Sequence, residues 1–184
     1  NGTQVSHYRI VEKIGAGGMG EVFLADDTKL QRRVALKFLP ALLNNDSEVR
    51  ARFTREAQSA AKLNHPNIVT IHEVSDFNGR PFFAMEYVEG RPLNYYCSEK
   101  KLTNNEIINL AIQISDGLAK AHQMGITHRD IKSSNIVVDA DKRAKILDFG
   151  LAFVKGGEQI TKAGSTLGTV AYMSPEQAQG REID

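Results

Sequence analysis

The chain has 184 residues, of which 41% are hydrophobic and 24% are charged, as expected for one generous domain or two small ones. The formal net charge of +1 leaves no basic footprint for nucleic acid or for an acidic membrane surface. The single cysteine excludes an internal disulfide and fits a reducing compartment. Because the N-terminus is polar and no apolar run reaches about 18 residues, we expect no membrane segment in this chain and a cytoplasmic location. A longer parent protein could still be membrane-anchored.

The elements predicted for the first part of the chain are strands around one helix. The strands are expected at residues 8–14, 21–25, 33–39, 68–74 and 81–88. The helix is expected to begin with a cap at Asp46 or Ser47 and to run through Leu63. A turn containing Asn78-Gly79, a pair typical of β-hairpins, joins the last two strands.

The composition changes after residues 89–90. Thr103 and Glu106 have the spacing of a capping box, which predicts the start of a long amphipathic helix that ends at Gly125. We therefore predict an α+β fold. A β-rich lobe with one helix precedes a helical lobe, and the boundary lies near residues 89–92.

Glycines are concentrated in the segment Gly15-Ala16-Gly17-Gly18-Met19-Gly20. Glycine lets a backbone approach phosphate oxygens closely and present N–H groups to them. The same pattern occurs in dinucleotide-binding folds, which place a helix directly after the glycines. Here residues 21–24 have a β-like pattern, which predicts the tip of a hairpin instead. A glycine-rich turn without a ligand remains the alternative for this motif alone.

Lys37 interrupts the apolar strand expected at residues 33–39. Burial of an ammonium group without a partner is costly, so a buried Lys37 requires a negative charge nearby. Glu56 on the predicted helix is the candidate partner, and a lysine held by this glutamate would meet two phosphates. The alternative is an edge-strand lysine that extends its charged end to water.

Acidic and amide side chains flank a short hairpin predicted at residues 136–138 and 144–147. Asp130 and Asn135 precede the hairpin and Asp148 follows it, so the hairpin should bring them to one edge. Their oxygens suit a Mg²⁺ ion that bridges phosphates, and Asp130 is available to accept a hydroxyl proton. Each residue alone is also common in caps and turns. The occurrence of all three residues in this order favours a functional site over separate caps and turns.

These motifs, in this order, resemble the signature of the protein kinase superfamily. The resemblance extends from Tyr8 to Glu176, and its style is most similar to that of bacterial serine/threonine kinases. It implies a two-lobed fold. Residues 1–88 would form the N-lobe, with an antiparallel β-sheet, the glycine-rich loop, one helix and a hinge at residues 86–90. Residues 89–184 would form a partial helical C-lobe that ends after the activation segment.

The resemblance also implies that the chain uses ATP together with Mg²⁺ (or Mn²⁺). Lys37 resembles the lysine that binds the α- and β-phosphates, and Glu56 resembles its helix partner. Asp130 resembles the catalytic base, whereas Asn135 and Asp148 resemble the metal ligands. The implied nucleotide-binding residues are Ile14, Gly15, Ala16, Gly17, Gly18, Met19, Gly20, Val22, Ala35, Lys37, Met85, Glu86, Val88, Asn135, Val137 and Asp148.

The implied reaction is transfer of the γ-phosphoryl group of ATP to a Ser or Thr hydroxyl of a protein substrate. Lys132 resembles the lysine that steadies the transferred phosphate, and Thr169 resembles the threonine that packs against it and Asp130. Arg129 suggests regulation, because a phosphate in the activation segment would pair with it. The candidate phosphorylation sites are Thr161, Ser165 and Thr166. Autophosphorylation would involve self-association of the chain; a polar loop without phosphorylation is the alternative.

The C-terminal part departs from the family pattern. Kinases continue with several helices beyond the residue that matches Glu176, so the helix predicted at residues 103–124 is expected to expose an apolar face. Two functions stay open: an enzyme that phosphorylates proteins, and a nucleotide-binding module or scaffold without turnover. The presence of Lys37, Glu56, Asp130, Asn135 and Asp148 favours the first, and the incomplete helical lobe favours the second.

Overall fold

The computed structural model describes residues 3–17, 20–99, 101–149, 171–179 and 181. The chain forms two compact units. The first consists of residues 1–64 and 69–88, and the second consists of residues 65–68 and 89–184. The short segment 65–68 therefore belongs with the second unit, although it precedes the last two strands of the first.

The first unit is built on a six-stranded antiparallel sheet. Its strands are β1 (Gln4–Val5), β2 (Tyr8–Gly17), β3 (Gly20–Asp27), β4 (Arg32–Phe38), β5 (Ile71–Phe77) and β6 (Arg80–Glu86). They lie in the order β1-β2-β3-β4-β6-β5. Alternate residues of a strand share a face, and Val34, Leu36 and Phe38 of β4 pack in this way against Phe82 and Ala84 of β6. Burial of this apolar face holds the sheet together.

The glycine-rich segment forms a hairpin between β2 and β3. Gly17 pairs with Gly20 at its tip, and β3 follows at once, which confirms the predicted hairpin and excludes the helix of a dinucleotide-binding fold. Gly20 has a φ of 117°, and a Cβ atom at this position would overlap the carbonyl oxygen of Phe38. Only glycine permits both the positive φ and this close approach.

The predicted helix is α1 (Ser47–Ala60). Asp46 caps it, because its carboxylate accepts hydrogen bonds from the N–H groups of Glu48 and Val49 at 3.0 and 3.1 Å. The helix ends at Ala60 rather than at the predicted Leu63, whose N–H closes a short turn on the Ala60 carbonyl. The buried face of α1 carries Phe53, Ala57 and Ala60.

The last two strands of the first unit differ in their bounds from the prediction. The strand predicted at residues 68–74 begins at Ile71 and extends to Phe77. Ile68 lies outside it because it forms an isolated parallel bridge with Ile146 of the second unit. Asn78 and Gly79 have φ angles of 52° and 77°, which confirms the predicted hairpin turn.

The second unit combines helices with a three-stranded antiparallel sheet. Its elements are β7 (Gly90–Pro92), α2 (Leu93–Ser98), α3 (Asn104–Gln123), β8 (Ile136–Asp139), β9 (Ala144–Ile146) and α4 (Pro175–Ala178). The strands lie in the order β7-β8-β9. The capping box of Thr103 and Glu106 is present at the start of α3, and Gly125 follows its end with a φ of 70°. Leu110 of α3 packs against the sheet in the core of this unit.

The apolar side of α3 is only partly covered. Ile107, Ile108 and Ile112 are 50%, 58% and 63% exposed, whereas Leu110 and Ala121 are 2% and 0% exposed, so the expected exposure of the apolar face is found at Ile107 and not at Leu110 or Ala121. A cavity of about 430 Å³ lies between α2 and α3 and is lined by apolar side chains, among them Leu93 and Ile114. None of the helices among the described residues combines the length and the apolar character needed to cross a bilayer.

Candidate active site

Several predicted nucleotide-binding residues lie on one face of the first unit's sheet. Val22 pairs across the strands with Gly15 and with Lys37, and Ala35 pairs with Met85. Cross-strand partners share a face, as do alternate residues within a strand. These five residues therefore lie together on the face opposite the apolar core of β4 and β6. Ala35, Lys37 and Met85 are buried.

The cation of Lys37 lies in the interior, with only 2% of the residue exposed. Its cross-strand partner is Phe83, whose ring centroid lies 5.4 Å from that of Phe53 on α1. Glu56 follows Phe53 by one helical turn, and one of its carboxylate oxygens is buried. Helix α1 thus packs on the face that carries Lys37. This placement supports the predicted pairing of Lys37 with Glu56, which stays a prediction.

The other predicted nucleotide-binding positions of the first unit differ in exposure. Ile14 is 44% exposed. Gly18 and Met19 lie outside the described residues. The N–H of Glu86 donates to the carbonyl of Thr70 at 2.8 Å, so an adenine contact at Glu86 would use its carbonyl oxygen. Val88 follows β6 and is half-buried.

In the second unit, Asp130 is the centre of a hydrogen-bond network. One carboxylate oxygen accepts from Lys132 Nζ at 2.7 Å and from Asn135 Nδ2 at 3.1 Å. Asn135 Nδ2 also donates to the backbone carbonyl of Asp130 at 2.8 Å. Asp130 and Asn135 are each 8% exposed. A buried carboxylate that is held by an ammonium group and an amide has a fixed position, as a group that accepts a proton from a substrate would need.

Asn135 and Asp148 flank the hairpin of β8 and β9, as predicted. The N–H of Leu147 donates to the carbonyl of Asn135 at 2.8 Å, which draws the two ends of the hairpin together. Because Asn135 Nδ2 points to Asp130, its amide oxygen points away from that residue. An amide oxygen and a carboxylate fit Mg²⁺, which binds few protein ligands when phosphates and water complete its shell. The described residues contain no cluster of three or more His, Cys, Asp or Glu side chains that could hold a metal by itself.

His128 supports this network, a role that the sequence interpretation missed. Its Nδ1 accepts from the N–H of Asp130 at 3.2 Å, so Nε2 carries the proton and donates to the carbonyl of Leu147 at 2.7 Å. The ring also packs against Phe149 at a centroid distance of 4.7 Å. A sequence signal exists, because His128 stands two residues before Asp130 in the run His128-Arg129-Asp130.

Burial lowers the pKa of His128, against the opposing effects of the Leu147 carbonyl and of nearby Asp148 and Asp130. A histidine with a lowered pKa in the folded state leaves the unfolded chain with more bound protons, so stability falls as the pH drops below about 6.5.

We expect the free energy of unfolding to fall between pH 7.5 and pH 5.5 by up to about 1.4 kcal/mol per pH unit because of His128. His128→Gln should reduce that slope in denaturant titrations. His122→Gln, at an exposed position of α3, controls for the loss of a histidine. An identical slope in wild type and His128→Gln would contradict the assignment.

In the second unit, four predicted residues lie outside the described residues: Thr161, Ser165, Thr166 and Thr169. Val137 lies on β8 in the second unit and is half-buried. The structure therefore groups the predicted residues into two sets. The first unit carries Lys37 and its neighbours on the sheet, and the second carries the Asp130 network.

The protein kinase domain profile matches residues 8–184. The chain belongs to the protein kinase domain family. The serine/threonine-protein kinase PrkC of Bacillus subtilis is 45% identical over 174 residues, which cover 94% of this chain and 27% of that protein. The probable serine/threonine-protein kinase SCO3848 of Streptomyces coelicolor is 41% identical, over 96% of this chain and 27% of its own length.

The fold is likewise that of a protein kinase domain. The crystal structure of a point mutant of the PknI kinase domain of Mycobacterium tuberculosis superposes with a TM-score of 0.76 at 31% identity. The alignment covers all of this chain and 69% of that domain. The chain thus spans 27% of the length of either curated relative and about two thirds of the solved kinase domain. Protein kinases act on protein substrates and use ATP with a divalent cation.

Proposed function

We propose that this chain is the catalytic part of a serine/threonine protein kinase. It transfers the γ-phosphoryl group of ATP to Ser or Thr hydroxyls of proteins. The buried Asp130 carboxylate, held by Lys132 and Asn135 beside the hairpin end that carries Asp148, is the observation that carries the proposal. The relatives named as serine/threonine-protein kinases support the same reaction class.

In the proposed function, the first unit binds the nucleotide. The glycine hairpin presents backbone N–H groups to the phosphates. Val22 and Ala35 form the apolar surface for the adenine, and Met85 guards the pocket behind it. The backbone at Glu86 and Val88 pairs with the polar edge of the adenine. Lys37 binds the α- and β-phosphates. Glu56 orients it and offsets the cost of burying its charge.

The second unit carries out the proton transfer. Asp130 accepts the proton of the substrate hydroxyl as the hydroxyl oxygen bonds to the γ-phosphorus, and the bond from phosphorus to the β–γ bridging oxygen breaks. The products are the phosphorylated side chain and ADP. Lys132 neutralises negative charge on the transferred group. Asn135 and Asp148 would hold Mg²⁺, which neutralises phosphate charge when bound.

Regulation and location extend the proposal. Phosphorylation at Thr161, Ser165 or Thr166 would introduce a phosphate that pairs with Arg129, and self-association would allow one copy to modify another. Thr169 would pack against Asp130 and Lys132. The charge balance of the chain favours a protein substrate over nucleic acid. A cytoplasmic location for this domain is part of the proposal.

The test is label transfer from γ-labelled ATP to a general Ser/Thr protein substrate in the presence of Mg²⁺. We expect label on Ser or Thr, and at least about a tenfold reduction in kcat/KM for ATP in Lys37→Met, because a buried cation that stabilises phosphate charge is lost. Lys29→Met removes an exposed lysine of the same unit and should leave transfer unchanged. Transfer that is insensitive to Lys37→Met would contradict the proposal. Wild-type binding of ATP without any transfer would favour a nucleotide-binding module instead.

A further inference from the structure

The C-terminal described segment, residues 171–179, contacts the loop of residues 128–135 at two points on either side of Asp130. Gln177 Nε2 donates to the backbone carbonyl of Arg129 at 2.6 Å. Tyr172 and Ser133 form a hydroxyl–hydroxyl hydrogen bond of 3.0 Å. Each contact joins parts of the chain that are far apart in sequence. Both lie within the second unit.

The side chain of Gln177 is held in one orientation. Its Oε1 accepts from the backbone N–H of Ser174 at 3.0 Å, and the backbone N–H of Gln177 donates to Ser174 Oγ at 3.3 Å. Together these bonds form a capping box at the start of α4. Because Oε1 is used in this way, Nε2 must face the other side, where the Arg129 carbonyl lies. The short helix therefore presents a fixed amide donor to the loop.

The accepting carbonyl belongs to a constrained part of the backbone. Arg129 has a φ of 66°, in the left-handed region that costs a non-glycine residue free energy and persists only where surroundings hold it. Its carbonyl and the N–H of Asp130 belong to one planar peptide unit. That N–H donates to His128 Nδ1 at 3.2 Å. Gln177 and His128 thus hold the two edges of the peptide that leads into Asp130.

The second contact lies on the other side of Asp130. Ser133 begins the short 3₁₀ turn that ends at Asn135, and Asn135 Nδ2 donates to the Asp130 carboxylate. The hydrogen bond between Tyr172 and Ser133 therefore restrains the turn that positions the amide of Asn135. Tyr172 is 52% exposed, so this contact is the weaker of the two.

We propose that Gln177 is a positioning residue for Asp130, acting through the Arg129–Asp130 peptide, and that the Tyr172–Ser133 bond is a second, weaker restraint. The role rests on the proposed kinase function of Asp130. Gln177 touches no reacting atom. It sets the direction of the backbone from which the Asp130 carboxylate projects, and a small misplacement of a reacting group lowers the rate steeply.

Three substitutions separate the two bonds of the Gln177 side chain. Gln177→Glu keeps an acceptor for the Ser174 N–H but has no donor for the Arg129 carbonyl. Gln177→Lys keeps a donor but no acceptor, and Gln177→Ala has neither. If the bond to Arg129 matters, kcat falls about tenfold or more in Gln177→Glu and Gln177→Ala, and Gln177→Lys retains more activity than either. KM for ATP should change little in all three, because the first unit binds the nucleotide.

A second measurement does not depend on turnover. Hydrogen exchange at the Asp130 amide, which lies in the held peptide, should become faster in Gln177→Glu and Gln177→Ala than in wild type and Gln177→Lys. This readout decides the proposal even if the wild-type protein shows no phosphoryl transfer, which would count against the kinase function and not against the contact. Thermal unfolding confirms that each variant is folded.

Two outcomes would overturn the role of Gln177. One is wild-type kcat together with wild-type exchange at Asp130 in Gln177→Glu. The other is loss of kcat in Gln177→Lys equal to that in Gln177→Ala, since helix capping alone would then explain the effect. For the second restraint, a double-mutant cycle of Tyr172→Phe and Ser133→Ala should give non-additive losses in kcat. Strictly additive losses would contradict a restraint by the Tyr172–Ser133 bond.

Discussion

Replacement of Asp130 by asparagine is expected to lower kcat for phosphoryl transfer by about 10²–10⁴-fold, the usual contribution of a positioned proton acceptor. Asparagine keeps one side-chain oxygen, which can still accept from Lys132 and Asn135 as the carboxylate does at 2.7 and 3.1 Å. The loop should therefore keep its geometry. The substitution removes the negative charge that accepts the hydroxyl proton. Because the first unit is proposed to bind the nucleotide, ATP affinity should stay within about threefold of wild type.

The measurement is kcat at saturating ATP and Mg²⁺, together with ATP affinity from calorimetric titration. Asp116→Asn is the matched control, because Asp116 lies on α3 in the same unit with 69% of its side chain exposed. An Asp130→Asn protein that transfers phosphate at the wild-type rate would rule out Asp130 as the base. If the wild-type and Asp130→Asn proteins both bind ATP and neither transfers phosphate, a nucleotide-binding module becomes the better description of the chain.

Local features of the fold were predictable from the sequence. The hairpin of Asn78-Gly79 needs only two residues that tolerate positive φ, and the start of α3 needs only the capping pair of Thr103 and Glu106. The glycine hairpin was predictable because the residues after Gly20 have a strand pattern. In each case neighbouring residues hold the information.

Features that depend on distant residues were not predictable in the same way. Ile68 has the apolar character of the strand that follows, yet it bridges to Ile146 and leaves β5 to begin at Ile71. Strand β7 has only three residues and exists because it pairs with β8. A pattern of residues along the chain does not report such pairings.

The candidate site shows the same division. The approach of Asn135 to Asp148 followed from the hairpin between them, and the backbone bond from Leu147 to Asn135 agrees with it. His128 contacts the backbone N–H of Asp130, and Gln177 contacts the backbone carbonyl of Arg129. The spacing of residues along the sequence does not predict either contact. The pairing of Lys37 with Glu56 is supported by the packing of α1 on the sheet and stays a prediction.

Asn135 is expected to have two separable roles, and two substitutions distinguish them. Asn135→Ala removes both the amide donor to Asp130 and the oxygen proposed to bind Mg²⁺. We expect it to lower kcat by about 10–100-fold and to raise the Mg²⁺ concentration for half-maximal transfer about tenfold or more. Asn135→Asp keeps an oxygen ligand but places a second negative charge beside Asp130. In the wild type the Asn135 amide donates to the Asp130 carboxylate at this point, at 3.1 Å. The substitution should lower kcat by repulsion while the Mg²⁺ requirement stays near that of wild type.

The Mg²⁺ dependence of transfer decides between these roles, with Asn94→Ala, an exposed asparagine of α2, as the matched control. A wild-type Mg²⁺ requirement in Asn135→Ala would contradict a ligand role, and Asn135 would then act on Asp130 alone. Wild-type kcat in Asn135→Asp would contradict the positioning role, because the two hydrogen bonds from Nδ2 to Asp130 cannot form in that variant. The bonds to Asp130 predict that both roles belong to one amide: its nitrogen holds Asp130, the proposed base, and its oxygen, which points away from Asp130, would be left to bind Mg²⁺.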